Sequence, residues 1–301
     1  MARTDRTIGN PASWALDTVS RAARFGRDAA RDVGGDRSAP PEVAMLSRED
    51  LSIALRKGRE DFAALRTDVI FIVLLYPVIG LILSAFVFQR DLLPLLFPLV
   101  SGFALLGPIA AIGLYEMSRR REKGEPAGYG AAFGVLGSPA IGAILTIGLG
   151  LLGIFVVWTL AAYLIFSLTL GPEPPDSLAA FISDIFTTGA GWTMLVVGCA
   201  VGFVFAAVTL AMTIVSIPLL IDRHVGVPVA IATSLEVCRK NPAVTAMWGF
   251  IVAAALVAGT IPLFLGLIVI FPVLGHATWH LYRRAVKPAG SQGTFDEGRD
   301  G

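Results

Sequence analysis

Uncharged apolar runs fill the middle of this chain. No Asp, Glu, Lys or Arg interrupts residues 69–88, 92–115, 141–168, 192–221 or 243–282. A run of about 20 such residues matches a hydrocarbon core ~30 Å thick. In that solvent each segment must satisfy its own backbone polar groups, which selects helices over open sheet. The last run is too long for one crossing, and Gly259-Thr260-Ile261-Pro262 divides it into spans near 244–258 and 262–282. The expected fold is an all-α polytopic membrane protein with six transmembrane helices.

Composition agrees. The chain is 55% hydrophobic and 16% charged, against ~45–50% and ~25% for soluble domains. Its basic residues lie in alternate gaps. Twelve precede Asp68, and further groups fall at Arg119–Lys123, at Arg223, Arg239 and Lys240, and beyond Tyr282. Of 24 Lys and Arg residues, 23 therefore share one side, with Arg90 alone opposite. The positive-inside rule places that side, and both chain ends, in the cytoplasm.

Residues 1–46 read as a polar, Arg-rich cytoplasmic tail, and 288–301 as a second tail. Residues 1–41 lack the apolar core of a secretory signal, so insertion is expected to be directed by the first span. Within the tail, residues 14–30 read either as disordered chain or as a basic amphipathic helix resting on anionic lipid. A firmer helix is expected over 47–66, begun by Ser47 with Glu49 and Asp50. Its apolar stripe of Leu51, Leu55, Gly58, Phe62 and Leu65 predicts a helix lying along the membrane surface, followed by the 69–88 span.

Similar stripes precede the other outward-going spans: Tyr129, Phe133, Leu136 and Ala140, then Ile231, Leu235, Cys238 and Pro242. The inward-going spans each carry a late proline: Pro108, Pro218 and Pro272. A unit of surface helix plus two-helix hairpin, used three times as parallel repeats, accounts for both patterns. Chance similarity among apolar segments is the alternative. The prolines would kink their helices, framing a cytoplasm-facing cavity or adjusting packing. Gly198 and Gly202 form a small-residue face that suits internal packing or a homo-oligomer.

The span centres hold no ionisable group, which argues against a proton-coupled pump and against mid-membrane catalysis. Polar candidates gather at the inner ends: Glu116, Asp222, His224, His276 and His280. His276 and His280 are four apart on one helix face, a chelating spacing. Together with Asp222 and Glu116 they could suit a divalent metal if the repeats converge. Capping and interfacial anchoring explain the same residues, so no cofactor is expected. Catalytic motifs are lacking, and the tail arginines point to lipid rather than nucleic acid.

The segments Ser-Ile-Pro-Leu-Leu-Ile-Asp-Arg (216–223), Asn241-Pro242 and Gly-His-Ala-Thr-Trp-His-Leu-Tyr-Arg (275–283) resemble signatures of a bacterial integral membrane family of unknown function, DUF2189. The resemblance spans roughly residues 46–287 and implies a multi-span membrane protein, without a mechanism. Two functions follow as expectations. One is a channel or transporter-like protein with a cytoplasm-facing cavity lined by Glu116, Asp222, His276 or His280. The other is a non-catalytic, membrane-organising or partner-binding protein using its amphipathic surface helices.

Overall fold

The computed structural model describes residues 40–73, 78, 81–82, 90–223 and 225–288. The proposed basic helix over 14–30, most of the 69–88 run, His224 and the final tail lie outside the described residues.

Among the described residues, three helices are long and apolar enough to cross a membrane: Ile141–Thr169, the run Gly189–Asp222, and Pro242–Thr260. We number the helices in chain order, so that α6 is Ile141–Thr169, α8 is Gly189–Thr213 and α11 is Pro242–Thr260. Their outward side chains include Leu149, Phe203 and Phe250, each at least 70% exposed. In water this surface would cost roughly 25 cal/mol per Å²; against lipid tails it carries no such penalty. Trp158 joins α6 to α8: its ring lies 5.6 Å from that of Phe205, and Gly202 approaches it so closely that a Cβ there would sit 2.9 Å from the indole.

The 92–115 run differs from the single span expected. It consists of a 3-10 turn (Arg90–Leu95), α2 (Leu96–Leu105), α3 (Gly107–Ala110) and α4 (Ile112–Glu122). Prolines explain the segmentation, because a residue without an N–H suits a first helical turn and disrupts an interior. Pro94 lies in the 3-10 turn and Pro108 opens α3. Pro218 likewise lies in the first turn of α9 (Ser216–Asp222), which restarts after α8 ends. Pro272, by contrast, is accommodated inside the unbroken helix α12 (Leu267–Ala285).

The 262–282 span also begins later than expected. Residues 261–266 form turns before α12 starts at Leu267. Leu263 and Phe264 have φ of 52° and 65°, in the left-handed region that is costly for side chains of this size. The reversal is closed by contact between two glycine backbones: a Cβ on Gly266 would lie 2.8 Å from Gly259 Cα. The connection between α6 and α8 carries the helix α7 (Leu178–Thr187), begun by Ser177, whose hydroxyl accepts from Ala180 N–H at 3.1 Å.

Helix α1 runs without interruption from Arg48 to Val73, across the boundary expected between a surface helix and a span. Its start is a reciprocal capping box: Asp50 Oδ2 accepts from Ser47 N–H at 2.7 Å and Ser47 Oγ accepts from Asp50 N–H at 3.3 Å. The apolar stripe is covered by protein, because α1 lies along α12. A Cβ on Gly58 would meet Ala277 N and Val273 O at 2.7 Å. Glycine thus sets the helix separation.

The described ends meet as well. Val43 and Val286 form an antiparallel bridge, flanked by Ala44 N–H to Ala285 O at 2.9 Å and Lys287 N–H to Glu42 O at 3.0 Å. Asn241 lies between α10 (Val227–Lys240) and α11. Its amide donates to Ala44 O at 3.1 Å and accepts from Leu46 N–H at 2.6 Å, tying that junction to the N-terminal segment. The remaining helix, α5 (Tyr129–Gly134), is short and leads through a 3-10 turn toward α6.

Candidate functional site

Helices α4, α9 and α12 pack together around Leu114, Met117, Ile217, Leu219 and Leu220, each no more than 1% exposed, with α1 laid along α12. Apolar burial brings the helices together, and a cluster of five polar side chains is gathered with them. Asp61 comes from α1, Ser118 and Arg121 from α4, and His276 and His280 from α12. Asp61 Oδ2 accepts from Ser118 Oγ at 2.6 Å and from His280 Nε2 at 2.8 Å. Arg121 forms an ion pair with the other carboxylate oxygen. Ser118 Oγ also lies 2.7 Å from His276 Nδ1.

The serine has one proton, which fixes the direction of these bonds. Asp61 faces a guanidinium and stays ionised, so Ser118 donates to it and His276 Nδ1–H donates to Ser118. His276 Nε2 is buried without a hydrogen-bond partner. Burial alone would raise the Asp61 carboxyl, but its bonds from His280 and Ser118 hold it below its ordinary value. With its proton given to a carboxylate and no exposure, Ser118 lacks the free, base-activated hydroxyl of a nucleophile.

A second network closes the helix ends. Glu122 accepts from Trp279 Nε1 at 3.0 Å and from Arg283 Nε at 3.1 Å. Arg283 reaches Asp222 at 3.4 Å, and Asp222 Oδ2 accepts from the Tyr282 hydroxyl at 2.7 Å. Arg283 thereby links α4, α9 and α12. Glu116 turns to Arg119 and Arg120, with contacts of 2.6 and 2.7 Å. Desolvation raises the Glu116 carboxyl, and those guanidinium groups outweigh it to hold the acid below its usual range.

The structure therefore brings His276 and His280 to one cluster, while Glu116 and Asp222 are held in separate ion pairs. Among the described residues, no group of three or more His, Cys, Asp or Glu side chains is placed to hold a metal ion. Pro108, Pro218 and Pro272 do not line the cavity of about 200 Å³ found between α2, α6, α7 and α8. That cavity is apolar, with Phe97, Trp158, Phe166, Phe181 and Phe186 in its walls.

Sequence reasoning missed Asp61 and Ser118. Asp61 had a readable signal. It falls three residues after Gly58 and four before Leu65, on the apolar stripe itself, where an acid requires a buried partner. Ser118, between Met117 and a run of arginines, had none.

No curated protein and no solved structure matches the chain. The membrane-length helices, their exposed apolar faces and the unbroken uncharged runs agree with one family comparison: residues 96–222 match the model of DUF2189, described as a predicted integral membrane protein.

Proposed function

We propose that the protein is a non-catalytic, membrane-organising protein of a bacterial inner membrane that holds anionic lipid headgroups on its cytoplasmic side. The observation that carries this reading is the outer face of α1. Arg48, Arg56, Lys57 and Arg59 are exposed there and form no ion pair among the described residues, in contrast to Arg119, Arg120, Arg121, Arg283 and Arg284; Glu49 and Glu60 are exposed and unpaired beside them, so the cations outnumber the acids four to two. Unpaired cations next to a membrane attract anionic lipid by about 1 kcal/mol each. The other face of α1 is fixed to α12, so the cations are presented on a rigid support.

Six spans in three related hairpins, with both ends cytoplasmic, remain the arrangement we infer. The one-sided charge supports it, as does the helical segment preceding α6 and α11. The channel or transporter reading has less support: at the inner helix ends where its polar cavity would lie, the polar groups are paired with one another.

Reconstitution into phosphatidylcholine nanodiscs containing phosphatidylglycerol tests the proposal. Native mass spectrometry should show the anionic lipid enriched on the protein. Enrichment should fall when Arg48, Arg56, Lys57 and Arg59 are changed to Ala, and when salt rises from about 0.1 to 0.5 M. Enrichment unaffected by both changes would sink it.

A further inference from the structure

We propose that the His276–Ser118–Asp61–His280 network is a proton-sensitive latch, which keeps a proton off His276 Nε2 while α1 is seated on α12 and admits one there when the two helices part. The inference rests on the hydrogen-bond inventory of the cluster. Ser118 can give its proton only once, and Asp61 receives it at 2.6 Å. His276 must then supply the Nδ1–H for its 2.7 Å contact with Ser118. Its remaining nitrogen is buried without a partner. A second proton would create an N–H without an acceptor, on a ring that is 0% exposed. The seated arrangement therefore requires neutral His276.

The groups facing the ring reinforce this. Asp61 comes from α1, Arg121 from α4 and His280 from α12 itself, and the Asp61 charge is already engaged by Arg121, Ser118 and His280. Other charges nearby are turned into separate pairs: Glu116 with Arg119 and Arg120, and Glu122 and Asp222 with Arg283. Helix α11, also packed on α12, contributes no titratable side chain. When α1 lifts, the ring meets water and titrates as an ordinary imidazole, near pH ~6.5. Each pH unit below that value then favours the parted state by about tenfold.

Hydrogen exchange of the full chain in phosphatidylcholine nanodiscs tests the latch, with rates corrected for intrinsic pH dependence. Between pH 6.5 and 5.5, residues 51–65 should lose about fivefold in protection while α6 does not change. His276→Gln keeps an N–H donor for Ser118 but cannot titrate, and should abolish the response. His280→Gln should retain it. Nitrogen-15 NMR of the imidazoles in the wild-type chain should show His276 neutral and protonated on Nδ1 at pH 7.5, whether or not the variants fold. Unchanged α1 protection across that pH interval, a wild-type response in His276→Gln, or the opposite tautomer would each overturn the proposal.

Discussion

Helices α8 and α12 both draw on long uncharged runs, although α12 ends on Arg283 and Arg284, and they live in different surroundings. Helix α12 buries twelve of its nineteen residues, whereas α8 buries three of twenty-five. The first is enclosed by protein and tolerates histidines because other helices supply their partners. The second faces outward with Phe203, Val196 and Val204 uncovered. An apolar run thus indicates removal from water, and only the packing tells whether protein or lipid replaces it.

Substitutions on the two helices should separate these solvents. The largest effect is expected at Asp61→Ala, which leaves Arg121 and His280 without their shared acceptor; breaking a buried pair costs about 3–5 kcal/mol. Denaturation in mild detergent would measure it, and a loss below about 1 kcal/mol would show that the cluster is open to water. The same carboxylate gives a pH dependence with a defined sign. Its folded value is depressed, so its contribution is fully present above the unfolded value near ~3.9 and is lost as pH falls through the lower folded one.

Phe203→Arg on α8 should cost about 2.5–3.5 kcal/mol of insertion free energy if that position lies deep in the bilayer, while Phe203→Leu is nearly neutral. A glycosylation-based insertion assay reads both, and equal effects would mean that α8 is not bathed in lipid. Next comes a pair of glycines. Gly58→Ala forces a methyl group into the Ala277 and Val273 backbone and should destabilise by about 1–3 kcal/mol. Gly198→Ala meets nothing within 4 Å and should gain up to ~1 kcal/mol of helix propensity. Thermal melting that ranked these two in the reverse order would break the comparison. The smallest effect is Lys57→Ala, expected within about 0.5 kcal/mol on stability because the side chain is exposed and unpaired, even though it should lower anionic-lipid binding.

The stripe Leu51, Leu55, Gly58, Phe62 and Leu65 was legible in the sequence because helical period survives whatever covers it. The covering surface was not legible, since a membrane and helix α12 both ask for the same apolar face. The Gly259–Pro262 break was readable from its backbone chemistry, but the left-handed Leu263 and Phe264 delayed the next helix beyond the proline. The shared face of His276 and His280 followed from their spacing; their acceptor did not. Asp61 is 219 residues from His280, and no local pattern reports a contact over that distance. Asn241 lies outside the residues that match the family model, and its physical role is structural: its amide donates to Ala44 O and accepts from Leu46 N–H.

The partnership of α1 with α12 has a consequence for biosynthesis. At about 5–20 residues per second, a ribosome reaches His280 roughly 10–45 s after Asp61. During that interval α1 is complete but its apolar stripe and Asp61 have no mate. Newly made chains must therefore wait in the insertion machinery, or shelter α1 elsewhere, until the C-terminal helix emerges. Any truncation before α12 would leave the whole of that stripe permanently orphaned, and it should mark the product for degradation.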